Sequence, residues 1–155
     1  ERFVLMGSAG LEFELTPALD AVWGYQPSTD AMRGLMDCFA YNKNLITDEL
    51  IESRYRASIR PGYQESYSKL FEAPRQRHIR ALSTPEEAIA AIQQEALIIH
   101  GREDRVLPLE CSLRLHRLIP RSQLHVFGQC GHWTQVEKNV RFCRLVEDFL
   151  LEALS

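Results

Sequence analysis

Residues 96–133, "ALIIHGREDRVLPLECSLRLHRLIPRSQLHVFGQCGHW", decide the fold. The run "ALIIHG" is short, apolar throughout and closed by Gly101, which is how a strand buried on both faces reads. "LPLECSLRLHRLIP" then carries apolar residues at helical spacing behind Pro108, and "QLHVFG" is a further apolar run closed by glycine. Strand, helix and strand in this order call for parallel strands joined by a right-handed crossover.

Working outward, the sequence repeats the alternation at both ends. "NVRFCRLVEDFLLEAL", residues 139–154, is expected to be a long helix with Phe142, Leu145, Val146, Phe149 and Leu150 along one face. In "FVLMGSAG", residues 3–7 are a short apolar run, closed by Gly7 and Gly10, that reads as a strand buried on both faces. Between the outer strands the character is helical. Thr16-Pro17 opens a helix, "PSTDAMRGLMDCFA" places Ala31, Leu35, Met36 and Phe39 on one side, and Thr47 precedes another start. "GYQESYSKLF", "PRQRHIRAL" and "TPEEAIAAI" follow as helices, the last with Pro85 at its first helical position. The expected class is therefore α/β, with about three parallel strands and flanking helices. The expected division is a core strand and lead-in at 1–14, a helical insertion at 15–92, and an α/β segment at 93–155.

Composition removes several functions. The 155 residues carry a net charge of −3 and no long basic run, so the electrostatic footprint of a nucleic-acid binder is missing. No segment approaches the roughly 18–20 apolar residues of a membrane span, and Glu1-Arg2-Phe3-Val4 does not open a secretion signal, so a cytoplasmic location is expected. Cys38, Cys111, Cys130 and Cys143 form no C-x-x-C pair and read as reduced, mostly buried thiols. The chain opens directly on a strand-like run without methionine, which reads as a cut end.

In open parallel sheets reactive groups gather at the carboxyl ends of strands. The turn after "ALIIH" presents Asp104, and the turn after "LHVF" presents His132 between Gly131 and Trp133. Two such loops on neighbouring strands can let the carboxylate hold the imidazole in one tautomer and stabilise its charged form. Glu103 lies beside Asp104, but alternation aims adjacent side chains apart, and Glu103 is assigned a solvated role.

"VLMGSAG", "HGREDRVLPLE" and "LHVFGQCGHWTQVE" resemble the α/β-hydrolase fold, and within it the meta-cleavage product hydrolases of the 2-hydroxymuconic semialdehyde type. The resemblance runs over essentially the whole chain and implies the C-terminal part of that fold, with residues 15–92 as its cap. It implies Asp104 as the triad acid, His132 as the general base, Arg54 as a cap arginine on the substrate's polar end, and Trp133 as a wall of the pocket. Phe39, Tyr55, Tyr67 and Phe71 are candidates for the cap side of that pocket, while Arg56, Arg60, Arg75, Arg77 and Arg80 are read as solvated charges.

The implied reaction is hydrolysis of a carbon–carbon bond in a 2-hydroxy-6-oxo-dienoate, an anionic small-molecule substrate, with no metal or organic cofactor. A homo-oligomer stays open. Ser8 does not suit the nucleophile elbow, because Met6 stands where a small residue is needed and "LEFELTP" is not a helix start. The nucleophile and oxyanion donors are accordingly expected in a missing N-terminal half, and the 155 residues alone are expected to be inactive. The competing readings are an esterase, epoxide hydrolase or dehalogenase of the same fold, and a truncated non-catalytic binding module.

Overall fold

The computed structural model describes residues 1–151. Three strands, β1 (Arg2–Met6), β2 (Glu95–Gly101) and β3 (Ser122–Phe127), form one sheet in the order β1-β2-β3, and both pairings are parallel. Val4 lies opposite Leu97, and Ile99 lies opposite both Met6 and His125, so β2 is the central strand. Its period-2 alternation explains why every position from Ala96 to Gly101 is buried. Ala96 and Ile98 pack on one side with Leu11, Ile89, Leu115 and Ile119, while Leu97 and Ile99 pack on the other with Phe127, Cys130 and Phe149. Each of these aliphatic side chains contributes about 1.5–3 kcal/mol by leaving water.

Those two layers come from helices at opposite faces. Helix α7 (Leu109–Leu118) follows β2, and α9 (Asn139–Leu151) closes the other face with Phe142, Leu145, Val146 and Phe149. Leu150, expected on that apolar face, is instead 46% exposed. The expected continuation of this helix through residues 152–154 lies outside the described residues.

Between β1 and β2 run α1 (Pro17–Trp23), α2 (Thr29–Phe39), a 3₁₀ turn at Lys43–Leu45, α3 (Asp48–Ser58), α4 (Tyr63–Leu70), α5 (Gln76–Leu82) and α6 (Glu86–Ala90). Their starts follow local chemistry. Thr16 accepts from the Leu19 amide at 3.0 Å, Ser28 from Ala31 at 3.0 Å and Thr47 from Leu50 at 3.2 Å, each satisfying an otherwise orphaned N–H. At α6 the expectation needs correction. Pro85, at φ −55° and ψ 137°, has a helical φ but not a helical ψ and stands just ahead of the helix, while the Thr84 amide before it donates to the Gly10 carbonyl at 2.9 Å.

The insertion is not a separate body. Ala18, Leu19 and Ile79 share a cluster with Val106 and Leu107 of the loop after β2, and Trp133 packs into the cluster of Tyr25, Met32, Leu35, Met36 and Ile51. The Thr16 hydroxyl adds a bond to the Val106 carbonyl at 2.8 Å. The start of α1 is thereby tied to the loop that carries Asp104.

Candidate catalytic site

Two loops leave the sheet side by side, one after β2 and one after β3. A Cβ on Gly101 would stand 2.0 Å from the Gly131 carbonyl oxygen and 2.5 Å from that of Cys130, so only glycine lets the loops cross at this distance. Asp104 is fixed at once: its Oδ1 accepts from the amides of Val106 at 2.8 Å and Leu107 at 3.0 Å, an Asx-turn arrangement. Its Oδ2 meets His132 Nδ1 at 2.8 Å, and the carboxylate side chain is only 1% exposed.

The second loop is held just as completely. Cys130 N–H is accepted by Glu103 at 2.9 Å, Gly131 N–H by Glu137 at 2.6 Å, and His132 N–H by the Phe39 carbonyl at 2.7 Å. Glu137 uses its other oxygen on the Asn42 amide at 2.8 Å, so one carboxylate joins the histidine loop to the end of α2. β1 closes the site from below, since a Cβ on Gly7, at φ 45°, would lie 3.2 Å from the imidazole.

Glu103 therefore departs from its expected solvated role. Alternation does aim it away from Asp104, but the chain folds back so that its carboxylate faces the Cys130 amide. That bond, with help from Arg102, holds the Glu103 carboxyl below the usual carboxylate range. Cys130 is the reverse case, its buried thiol pushed up to about 12, which makes it a packing group rather than a nucleophile.

His132 is 24% exposed and lines an apolar cavity of about 390 Å³ together with Leu11, Leu19, Trp23, Phe39 and Val106. Because a carboxylate only accepts, Nδ1 carries a proton, and in the neutral ring Nε2 therefore keeps its lone pair. Among the described residues, the imidazole makes its one hydrogen bond to Asp104. The arrangement is a buried carboxylate orienting an imidazole at the wall of an apolar cavity, which is chemistry suited to taking a proton from a nucleophile.

The other expected site residues are placed differently. Arg54 is exposed on α3, where Ile51 and Tyr55 turn inward to the core cluster and Arg54, about 100° around the helix from Tyr55, points to solvent. It does not line the cavity. Trp133 also stays off the lining: it stacks on Phe39 at 5.3 Å, and Phe39 presents its own ring to the cavity and to His132 at 5.7 Å. Of the cap aromatics, Phe39 alone among the expected four lines the cavity. Tyr55 and Tyr67 pack in the helical core, and Phe71 stacks on Trp23 at 4.7 Å. Ser8 lies just past β1 and does not line the cavity either.

Sequence reading passed over Glu137, whose signal was its place five residues after His132 on the one-turn helix α8 (Thr134–Glu137). It also passed over His100, a polar residue inside an apolar strand.

The family model for the alpha/beta hydrolase fold matches residues 36–139. The chain is 60% identical over 149 residues to 2-hydroxy-6-oxo-2,4-heptadienoate hydrolase of Pseudomonas putida (strain F1), covering 96% of this chain and 54% of that protein. It is 59% identical over 152 residues to 2-hydroxymuconate semialdehyde hydrolase of Pseudomonas sp. CF600, covering 98% of this chain and again 54% of the relative. A meta-cleavage product hydrolase from Pseudomonas fluorescens IP01 superposes with a TM-score of 0.97 at 59% identity, over 99% of this chain and 56% of that one. The chain thus spans about half the length of the curated relatives it matches. With three parallel strands, helices on both faces and residues 36–139 matched by that model, the chain belongs to the alpha/beta hydrolase fold family.

Proposed function

We propose that this chain carries the acid and base of a hydrolase that cleaves the carbon–carbon bond of 2-hydroxy-6-oxo-dienoates of the 2-hydroxymuconic semialdehyde type. The observation that carries the reading is the 2.8 Å bond between Asp104 and His132 Nδ1, which leaves Nε2 bare at the wall of an apolar cavity. The relatives' printed names supply the substrate class: both describe hydrolases of such dienoates or semialdehydes.

In this scheme the substrate tautomerises from dienol to ketone, and an activated serine or water adds to the C6 carbonyl. His132 Nε2 receives the proton lost by that nucleophile and returns it to the departing carbon fragment. Asp104 keeps the imidazole in the Nδ1–H tautomer and stabilises its transient charge. Where serine is the nucleophile, a water deprotonated by His132 then hydrolyses the acyl-serine and the serine oxygen takes the proton back, so that the products are a dienoate and a small acid. These are proton transfers and an acyl step, so the scheme calls on no metal or organic cofactor. The nucleophile and the oxyanion donors come from residues outside this chain, and the enzyme works in the cytoplasm.

Arg54 and Trp133 receive no direct role, since the first faces solvent and the second packs behind Phe39. The apolar lining suits the conjugated, planar part of the substrate.

The test is a graft. This chain replaces the corresponding segment of the Pseudomonas sp. CF600 hydrolase, and loss of the yellow absorbance of 2-hydroxymuconic semialdehyde is followed. The graft is expected to turn over, and His132→Ala to lower kcat by at least about 10³-fold. A folded graft that leaves the absorbance unchanged, or a His132→Ala graft as fast as its parent, overturns the reading.

A further inference from the structure

Behind Asp104 lies a second imidazole that the scheme above does not use. His100, the penultimate residue of β2, is fully buried. Its Nδ1 lies 2.7 Å from the hydroxyl of Ser112, itself fully buried on α7, and its Nε2 lies 3.1 Å from the Leu107 carbonyl oxygen. Nε2 also stands 3.5 Å from Asp104 Oδ2, the oxygen that binds His132.

The protons follow from the partners. A carbonyl oxygen can only accept, so Nε2 carries a hydrogen and donates it to Leu107. Burial, the largest influence, holds the His100 imidazole below its ordinary value, against the opposing pull of Asp104, and so the ring is neutral. Nδ1 then has a lone pair, and the Ser112 hydroxyl must donate to it. The polarity of the chain is settled: Ser112 to His100, and His100 to Leu107, with the positive edge of the Nε2–H beside Asp104.

Leu107 gives this chain its consequence. Its carbonyl is held by His100, while its amide donates to Asp104 Oδ1 at 3.0 Å. One residue therefore passes the position of the buried imidazole to the carboxylate. Among the described residues, the charges acting on His100 are those of Asp104 and, beyond it, His132; from α7 it meets the uncharged hydroxyl of Ser112, next to the buried thiol of Cys111 on the same helix. A charged ring would give His132 a rival for Oδ2, whereas a neutral one serves as a donor that does not compete.

We infer that His100 and Ser112 are positioning residues for the acid: they clamp the Leu107 peptide and present an N–H dipole to Asp104, so that its Oδ2 stays aimed at His132. The inference rests on the hydrolase reading, and its test is built to fail separately from it.

In the same graft, His100→Leu removes both bonds in an apolar shape, and His100→Gln retains an amide N–H within reach of Leu107. His100→Leu is expected to lower kcat about 10-fold, the scale of one lost positioning hydrogen bond, with KM within about twofold. The downfield proton signal of His132 Nδ1–H should weaken in parallel, and His100→Gln should restore both to within about threefold. Nitrogen-15 spectra of the parent should show His100 as the neutral Nε2–H tautomer at pH 7.

A folded His100→Leu graft with unchanged kcat and an unchanged His132 signal overturns the inference, as does a charged or Nδ1–H His100 in the parent. Where His100→Leu fails to fold, Ser112→Ala decides. Loss of the hydroxyl should broaden or shift the His132 signal, and an unaltered signal overturns the proposal. The proton signals and the tautomer are read whether or not the graft turns over substrate, so an inactive graft sinks the hydrolase reading alone.

Discussion

The loops after β2 and β3 and the outer helices α3 and α4 both carry polar and charged residues, yet they are held in opposite ways. In the loops, successive amides from Cys130 to His132 each find an acceptor on another element: Glu103 in the loop after β2, Glu137 on α8 and the Phe39 carbonyl at the end of α2. On α3 and α4, the charged groups pair one turn away on their own helices, Arg56 with Glu52 and Lys69 with Glu65, in exposed contacts. Exposed pairs of that kind contribute about 0.3–0.5 kcal/mol and fix little beyond the helix itself. Geometry accurate enough for chemistry is built where carboxylates and carbonyls bind the backbone of another segment.

That contrast is sharpest at Asp104. Asp104→Asn should lower kcat of the graft by about 10⁴-fold with little loss of stability. The amide oxygen can keep the Val106 and Leu107 bonds, which turns the NH₂ toward His132 and forces the proton onto Nε2, where the base must be free. Steady-state kinetics with a thermal melt on the same sample checks both halves, and a fall in kcat below tenfold would break the comparison.

Gly101→Ala comes next. The added methyl would meet the Gly131 carbonyl oxygen at 2.0 Å, backbone that cannot swing aside. The two loops would have to separate, at a cost of about 3 kcal/mol, the upper end for overpacking. Urea denaturation should show a lowered midpoint at unchanged slope.

The Glu103 staple should be smaller and should depend on pH. Its carboxyl is held below the ordinary value in the fold, so the unfolded state binds the proton more tightly. Its stabilising effect is fully present above about pH 4.5, the ordinary carboxyl value, and is lost as pH falls below it through the lower value of the fold. Glu103→Gln should cost about 1 kcal/mol at pH 7 and flatten the acid side of the stability curve, as read from melts between pH 3 and 7. A variant whose curve keeps its parent's acid slope would show that the bond to Cys130 N–H does not matter.

Arg54→Ala closes the series. It should change stability by no more than about 0.5 kcal/mol and kcat/KM by less than about twofold, because the side chain is exposed and does not line the cavity. A tenfold rise in KM would return Arg54 to the substrate and move the boundary between the two regions.

Much of this architecture was readable from residue order. The apolar run of β2 alternates faces as its pattern requires, Thr16, Ser28 and Thr47 sit where a hydroxyl caps a helix, and Asp104 and His132 follow the strands whose ends a parallel sheet brings together. Elsewhere the structure differs from what residue order suggested. Pro85 stands ahead of α6 while the Thr84 amide bonds the Gly10 carbonyl, Glu103 accepts from the Cys130 amide, Trp133 stacks behind Phe39, and Arg54 lies on the exposed side of α3.

The sequence by itself determined the strand and helix order, the hydroxyl-capped helix starts and the placing of Asp104 and His132 just past the ends of neighbouring strands, because each depends on periodicity or on bonds spanning a few residues. Only the tertiary structure decided which carboxylates grip the histidine loop, which ring lines the cavity and that His100 stands behind Asp104. Those outcomes depend on how the backbone turns: Glu103 meets the Cys130 amide 27 residues on, and even Glu137 and His100, a few residues from their partners, are aimed by loop geometry that no repeating pattern encodes.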